Sequence, residues 1–240
     1  MKISVIVPAF NEEKLLAASL VEIQAAAQSF HARGWEFELV VCDNNSTDRT
    51  AEIARAGGAH VVFEPVNQIA RARNTGAAAA TGDWFVFVDA DSHPSAGLFA
   101  DVAEQITAGR SLAGGSTIRL DEKHFVAGCV TQLWNVSSRL GRWLAGSFIF
   151  VESAAFRKIG GFSQELFAAE ELELSQRLKK LARETGRIIT VLHRHPLKTS
   201  ARKMRLYTLR DHLKLLARVG LNRRTLNNRE ACVLWYDGRR

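Results

Sequence analysis

Cysteine is scarce in this sequence. The 240 residues include three cysteines, Cys42, Cys129 and Cys232, which are far apart and show no C-x-x-C spacing. This pattern argues against a disulfide framework and against a structural zinc site, and it favours a reducing compartment.

Long apolar runs are also missing. The runs ISVIVPAF and WLAGSFIFV are far shorter than the roughly 20 apolar residues that a membrane-spanning helix needs. Glu12 and Glu13 follow the N-terminal run after one residue, with no small-residue cleavage site, so we expect no signal peptide. Together with the cysteine pattern, these absences predict a cytoplasmic protein.

Charge is unevenly distributed along the chain, whose formal net charge is +7. Residues 186–240 contain 14 Lys or Arg against 3 Asp or Glu, whereas residues 1–185 contain 18 against 22. The hydrophobic and charged fractions, 47% and 24%, are typical of a folded globular protein. We therefore expect one mildly acidic domain over residues 1–200 and a basic C-terminal extension over residues 201–240.

Apolar runs alternate with helical patterns through about the first 95 residues. The runs KISVIVPAF, FELVVCD, HVVFEP and DWFVFVDAD are typical of buried strands. Continuous apolar strands separated by helices predict an α/β fold with a doubly wound, mostly parallel sheet. In such sheets ligands bind beyond the carboxyl ends of the strands, where the strand order reverses. Further along, EELELSQRLKKLARE predicts a helix and RIITVLHRH a final strand.

Acidic residues lie at the ends of two predicted strands, and two arginines lie on the helix before the fourth strand. Asp89 and Asp91 end the fourth strand, where their oxygens suit Mg²⁺ or Mn²⁺ beside a phosphate, although a solvated turn explains the dipeptide equally well. Asp43 ends the second strand before NNSTD, a stretch that also suits a helix cap. Arg71 and Arg73 lie on the helix before the fourth strand and suit either a diphosphate or a solvated helix face.

Five stretches, in order, resemble the motifs of glycosyltransferase family 2. They are SVIVPAFNEE, VVCDNNSTDRT, ARARNTGAAAATGDWFVFVDAD, GGF and AAEELEL. The resemblance implies a GT-A fold, a UDP- or GDP-linked sugar donor and a divalent metal, Mg²⁺ or Mn²⁺. It also implies inverting transfer of the sugar to an acceptor hydroxyl by a carboxylate base.

The same resemblance assigns roles to matching positions. Contacts to the nucleotide sugar fall on Pro8, Ala9, Phe10, Glu12, Asp43, Arg73 and Asp89, with Asp43 on the base, Arg73 on the diphosphate and Asp89 on the ribose. The implied metal ligands are Asp91, Asp89 and His193, with His193 chosen because it directly follows the last predicted strand. The implied base is Glu171, at the position of the family's usual aspartate, or its neighbour Glu170.

The basic extension contains a helical pattern of its own. Within MRLYTLRDHLKLLARVG, one helical stripe collects Leu206, Leu209, Leu213 and Leu216. A basic amphipathic helix of this kind suits an anionic membrane surface, and packing of the leucines onto the domain explains them equally well. We expect a cytoplasmic enzyme that touches the inner face of the membrane, with a lipid-linked or glycan acceptor.

Other classes of protein fit the sequence less well. A nucleotidyltransferase usually carries a Gly-rich, Arg-containing loop after the first strand, where this chain has PAFNEE. A dinucleotide-dependent dehydrogenase needs a G-x-G-x-x-G motif that is absent after any predicted strand. A non-catalytic module that binds nucleotide sugar or membrane stays an alternative. Nucleic acid is disfavoured because the basic extension lacks interleaved aromatic residues.

Overall fold

A computed structural model describes residues 1–121 and 125–200 of the chain. The elements in chain order are β1 (Lys2–Ala9), α1 (Leu16–His31), β2 (Glu36–Asp43), α2 (Thr50–Ala56), β3 (His60–Phe63), α3 (Ile69–Ala79), β4 (Trp84–Val88), β5 (Ser92–His93), α4 (Ala96–Ala108), β6 (Ser111–Leu120), α5 (Phe125–Gly141), β7 (Phe148–Glu152), α6 (Ser153–Lys158), α7 (Glu170–Glu184) and β8 (Ile188–Thr199). The predicted basic extension lies outside the described residues, so the domain boundary at residue 200 stays a prediction.

All eight strands belong to one sheet, in the order β3-β2-β1-β4-β7-β6-β8-β5. The chain starts in β1, moves outward through β2 and β3, and returns to the other side of β1 as β4, all in parallel pairing. The strand order therefore reverses between β1 and β4, which confirms the predicted doubly wound α/β fold. Carboxyl ends of these four strands meet at one edge, called here the carboxyl edge.

The second half of the sheet contains both parallel and antiparallel pairs. The sequence predicts a mostly parallel sheet and does not indicate which strands run antiparallel. Strand β7 runs antiparallel to both β4 and β6, while β6 and β8 are parallel to each other. The reason is that β7 starts at the carboxyl edge, where the N–H of Asp89 donates to the carbonyl of Ser147 at 3.2 Å. A strand that enters from that edge must run opposite to β4.

Side chains of β4 are buried on both faces of the sheet, as its continuous apolar sequence predicts. Val86 and Val88 pack into one cluster with α1 and α4 residues such as Leu20 and Phe99. Phe85 and Phe87 point the other way, into a cluster formed with α3, α6 and α7. Successive strand residues alternate between faces, so helices on both sides are needed to cover this strand.

The last strand is longer than predicted. It was expected to end at the histidines of RIITVLHRH, but β8 continues to Thr199 with a bulge between Leu192, paired with Ser116, and Leu197, paired with Ile118. Four residues in β8 oppose a single residue in β6, so the chain leaves regular pairing there and resumes it. The bulge contains His193, which is exposed, so the premise that His193 follows the end of the strand was wrong.

None of the helices in the described part of the chain is both long enough and apolar enough to cross a membrane.

Two helical glycines provide a matched test of the packing. A Cβ on Gly76 in α3 would lie 2.6 Å from Cγ2 of the fully buried Ile6, whereas a Cβ on Gly128 in α5 meets nothing within 4 Å. Both alanine substitutions gain helix propensity, about 1 kcal/mol, but only Gly76→Ala adds a clash costing about 1–3 kcal/mol. We expect urea denaturation to find Gly128→Ala more stable than the parent. Gly76→Ala should be less stable than Gly128→Ala, and equal gains would contradict the close α3–β1 packing.

Candidate active site

Backbone hydrogen bonds tie the ends of the first three strands together at the carboxyl edge. Ala9 and Asp43 are register partners in β1 and β2. The N–H of Asn44 donates to the carbonyl of Ala9 at 2.8 Å, and the N–H of Glu64 donates to the carbonyl of Asp43 at 2.9 Å. The side chain of Asn44 then donates to the carbonyls of Glu64 and Val66. These bonds hold the three loops in a fixed lateral order.

The loops after β1 and β2 are also bonded to each other. The N–H of Asn11 donates to Oγ of Ser46 at 3.0 Å, and the N–H of Ser46 donates to Oδ1 of Asp43 at 3.0 Å. Asn11 and Asn45 adopt left-handed backbone conformations, with φ of 51° and 63°. Non-glycine residues with such φ values need support from their surroundings, and they often lie at functional sites. The carboxylate of Asp43 is buried beside this loop pair.

The turn after β4 joins two other elements at the same edge. Its first aspartate, Asp89, donates its N–H to Ser147, which directly precedes β7. Its second aspartate, Asp91, accepts a hydrogen bond on its carbonyl from the N–H of Ser200 at 3.2 Å, just after β8. The side chain of Asp91 is mostly buried, with 8% of its surface exposed. Both predicted acids therefore lie where the turn after β4 meets the start of β7 and the end of β8.

Arg73 is buried beneath this turn, with 2% of its surface exposed. Its Nη1 donates to Oε1 of Glu170 at 2.7 Å, and its Nη2 donates to Oδ1 of Asp89 at 3.0 Å and to the carbonyl of Gly146 at 2.8 Å. The guanidinium also lies over the ring of Phe162, 5.1 Å from the centroid. Burial opposes the charge, but the neighbouring acids, Asp89 foremost, raise the pKa of Arg73 above its ordinary value.

The two adjacent glutamates at the start of α7 occupy different environments. Glu170 is buried and bonded to Arg73, whereas Glu171 is half-buried. Burial and the charge of Glu170 raise the pKa of Glu171 from 4.5 to about 8, against the opposing effect of Arg73. Ala169, directly before the pair, has φ of 60°, a left-handed conformation that fixes how the helix begins.

Gly146 brings the loop before β7 against both groups. A Cβ at this position would lie 3.2 Å from Nη2 of Arg73 and 3.5 Å from Cδ of Glu171. Because Gly146 has no side chain, its backbone can lie close to the guanidinium of Arg73 and to the carboxylate of Glu171.

Arg71, the second arginine of the predicted pair, points elsewhere. Its Nε donates to Oε1 of Glu64 at 3.1 Å and its Nη1 to Oε1 of Gln164 at 3.0 Å, with a third of its side chain exposed. The two arginines thus differ in partners and in burial, with Arg71 at the rim and Arg73 in the interior.

The structure brings together most of the residues predicted from the sequence. Direct hydrogen bonds connect Arg73, Asp89 and Glu170, and Glu171 lies beside them. The carboxyl edge also holds Pro8, Ala9, Phe10, Glu12, Asp43 and Asp91. His193 lies apart in the β8 bulge, seven residues before the Ser200 that meets Asp91, and its role as a metal ligand stays a prediction.

The donor set at the turn after β4 fits a divalent ion only in part. Over residues 1–121 and 125–200, no three His, Cys, Asp or Glu side chains come close enough to hold a metal by themselves. Asp89 and Asp91 supply carboxylate oxygens, and one oxygen of Asp89 is shared with Arg73. Mg²⁺ commonly uses one or two carboxylates when substrate phosphates and water complete its shell. These residues fit an ion that binds together with a diphosphate.

Several contacts of the site were not predicted from the sequence. The Gly146 carbonyl and the Phe162 ring contact Arg73, and the side chain of Gln68 donates to the carbonyls of Gln164 and Leu166. Only Phe162 had a local signal, since it belongs to the GGF stretch noted in the sequence. Every residue has a backbone carbonyl, so the sequence does not indicate that the carbonyl of Gly146 contacts Arg73.

Comparisons with known proteins agree with this geometry. Residues 4–140 match the profile of a family described as glycosyl transferase family 2. An uncharacterized glycosyltransferase of Mycobacterium bovis is 31% identical over 141 residues, which cover 57% of this chain and 60% of that protein. The match thus spans less than two thirds of this relative.

Two solved structures are similar to the chain. S. aureus TarS in complex with UDP has a TM-score of 0.63 and 27% identity, over 84% of this chain and 61% of that one. The mannosyltransferase PcManGT from Pyrobaculum calidifontis, in complex with GDP-Man and Mn²⁺, has a TM-score of 0.66 and 19% identity, over 97% of this chain and 69% of that one. At that identity, the second likeness shows the fold alone.

Replacing Arg73 tests whether its buried charge organises the site. Arg73→Met leaves Glu170 and Asp89 without their cation, and breaking a buried pair in this way costs about 3–5 kcal/mol. The exposed Arg49, paired with Glu52, is the matched control, and Arg49→Met should change stability by less than about 1 kcal/mol. Urea denaturation of both variants measures the difference. Similar costs for the two would contradict the assignment.

The raised pKa of Glu171 predicts a pH dependence of stability. The folded protein holds the Glu171 proton more tightly than the unfolded chain does, so this residue lowers the free energy of unfolding as pH rises from 4.5 to about 8. Glu171→Gln should therefore be more stable than the parent at pH 9, by on the order of 2 kcal/mol, and similar to it below pH 4.5. Urea denaturation with EDTA at several pH values measures this. The exposed Glu165→Gln is the control, and it should show no such trend.

Proposed function

The chain belongs to glycosyltransferase family 2 and has the GT-A fold, and we propose that it transfers a sugar from a nucleoside diphosphate sugar to an acceptor hydroxyl. The observation that carries this proposal is the buried Arg73, which joins Asp89 of the D-x-D turn to Glu170 at the start of α7. These bonds support the proposal because they hold Asp89 and the start of α7, where Glu171 follows Glu170, close together.

The donor would occupy the crevice along this edge. Pro8, Ala9, Phe10 and Glu12 would border the nucleotide, and Asp43 would accept a hydrogen bond from its base. Asp89 and Asp91 would hold a divalent ion, Mg²⁺ or Mn²⁺, against the diphosphate. When bound, this ion neutralises charge that develops on the departing diphosphate. UDP in TarS supports a UDP-linked donor. A GDP-linked donor is the alternative that the resemblance to the family implies.

Glu171 is the better candidate for the base, because Glu170 is already bonded to Arg73. The Glu171 carboxylate would take the proton of the acceptor hydroxyl as that oxygen bonds to the anomeric carbon and the carbon–diphosphate bond breaks. A general base works best when its pKa is close to the working pH, and a pKa of about 8 meets this condition. Attack from the face opposite the diphosphate would invert the configuration.

Arg73 acts in this proposal mainly as a positioning residue. Three of its five N–H groups donate to protein oxygens, so its charge would act on the diphosphate mainly through the electrostatic field. Nε of Arg73 is buried and has no hydrogen-bond partner among the described residues. A direct contact between Arg73 and the diphosphate stays a prediction.

For the acceptor we propose only its class, a lipid-linked or a glycan hydroxyl, and for the location the cytoplasm. A lipid-linked acceptor would be reached from the cytoplasmic face of the membrane, and a glycan acceptor would need no membrane contact. A nucleotidyltransferase or a non-catalytic binding module would share the nucleotide crevice. Neither alternative needs a base at Glu171, so donor cleavage that depends on this residue separates them from a glycosyltransferase.

Two substitutions separate donor binding from chemistry. Asp91→Asn should lower the Mn²⁺-dependent affinity for UDP or GDP, measured by calorimetry, by at least about tenfold, because a ligand carboxylate is lost. Glu171→Gln should bind the same nucleotide with an affinity similar to that of the parent. It should slow hydrolysis of the donor sugar by about 10²- to 10⁴-fold, the usual contribution of a general base.

Asp83→Asn provides the control for these measurements, because Asp83 immediately precedes β4 at the strand end opposite Asp89. It should change neither metal-dependent binding nor hydrolysis. Binding that is unaffected by Asp91→Asn would contradict the metal assignment. Hydrolysis that is unaffected by Glu171→Gln, with donor binding intact, would contradict the proposed base.

A further inference from the structure

The outward face of α5 is apolar. Cys129, Leu133, Val136 and Leu140 recur at spacings of four, three and four residues, which places them on one side of the helix; they are called here the α5 stripe. All four are exposed, and Leu133, Val136 and Leu140 expose 69%, 45% and 83% of their surface. A helix on the surface of a domain normally turns its polar side outward. This exposed stripe therefore indicates that something else packs on α5.

The opposite side of α5 already packs on the domain through other residues. Ala127 and Ser138 are buried, and the side chain of Asn135 bonds both the N–H and the carbonyl of Ile118 in β6 at 2.9 Å. The orientation of α5 is thus set by polar as well as apolar contacts. Rotating the helix to bury its apolar stripe would break both bonds to Ile118, so the stripe is held outward.

The chain leaves the described fold next to the start of α5. The N–H of Asp121, at the end of β6, donates to the carbonyl of Thr199 at the end of β8 at 3.0 Å. Helix α5 begins four residues after Asp121, at Phe125. Residues 201–240 therefore continue from a point close to where the chain enters α5, and both segments start from the same corner of the sheet.

The sequence after this exit point contains a matching pattern. Leu206, Leu209, Leu213 and Leu216, called here the tail stripe, fall on one side of the helix predicted there. The tail stripe would extend about 15 Å along a helix and the α5 stripe about 16 Å. The tail stripe begins six residues after Ser200, and the α5 stripe begins eight residues after Asp121. The two stripes are therefore similar in length and in distance from their shared origin.

We propose that the tail stripe binds the α5 stripe, with the helix that the sequence predicts over residues 206–216 lying beside α5 in the same direction. The tether supports this occupant over a second copy of the chain or a lipid surface, because a short linker gives a binding partner a millimolar effective concentration. Burying the leucines also turns Lys214 and Arg218 outward, where their charges stay solvated.

The docked segment would border the active site. Helix α5 leads directly into the loop that supplies the Gly146 carbonyl to Arg73 and the Ser147 carbonyl to Asp89. The tail itself departs from Ser200, whose N–H bonds the carbonyl of Asp91. Packing of the tail on α5 thus restrains the two segments that contact the predicted metal ligands. These are the loop before β7, bonded to Asp89, and Ser200, bonded to Asp91.

Native Cys129 reports on whether the α5 stripe is covered. In full-length protein carrying Cys232→Ser, Cys129 is the accessible thiol of the two that remain, because Cys42 is fully buried. The rate of its reaction with a thiol reagent is measured without nucleotide, metal or lipid. We expect Leu209→Asp with Leu213→Asp to raise this rate at least about tenfold, since the docked helix protects the thiol. Lys214→Asp with Arg218→Asp adds the same acids on the other side and should leave the rate unchanged.

Disulfide formation provides a second measurement that does not rely on a disrupted stripe. On mild oxidation, Leu206→Cys or Leu209→Cys should cross-link to Cys129, whereas Asp211→Cys, at a similar distance along the chain but on the opposite side of the helix, should not. Equal cross-linking at all three positions would overturn the proposal. Equal reaction rates in the leucine variant and the parent would also overturn it.

Two other outcomes identify a different occupant and equally reject the tail. Protection of Cys129 that increases with protein concentration indicates a second copy of the chain. Protection that occurs only after addition of anionic phospholipid vesicles indicates a membrane surface. Because no donor or metal is present, these results do not depend on the proposed glycosyltransfer, and either proposal can fail without the other.

Discussion

The buried charge of Arg73 connects three distant segments of the chain. A buried guanidinium is tolerated only when nearby acids and carbonyls compensate it. Its partners Asp89, Gly146 and Glu170 lie 16, 73 and 97 residues away along the chain. The charge of one side chain in α3 therefore fixes the turn after β4, the loop before β7 and the start of α7. The same contacts that stabilise the interior also fix these segments at the carboxyl edge.

This arrangement gives two adjacent glutamates different environments. Glu170 keeps a buried ion pair, while Glu171, next to that negative charge and partly withdrawn from water, has its pKa raised to about 8. Pairs of acids whose environments drive their pKa values apart are a common basis for acid–base chemistry. Ala169, directly before the pair, adopts a left-handed conformation with φ of 60° where α7 begins.

The parts of the fold with local signals were predictable from the sequence. Apolar runs located β1 to β4, and the acids that end β2 and β4 indicated the carboxyl edge of the sheet. Long-range features were not predictable in the same way. The antiparallel direction of β7 depends on where its loop enters the sheet, and the extension of β8 to Thr199 depends on pairing with β6 across a bulge. Whether Arg73 was buried or solvated also depended on partners far along the chain.

The proposed sugar transfer requires the carboxyl edge beside Arg73 to bind a nucleoside diphosphate together with a divalent ion. Crystals grown with UDP or GDP and Mn²⁺, and measured at the manganese absorption edge, would show where both groups bind. We expect an anomalous peak within coordination distance of an Asp91 carboxylate oxygen and of the diphosphate, with the nucleobase beside Asp43. A diphosphate bound away from the carboxyl edge, or manganese that lacks Asp91 as a ligand, would contradict it.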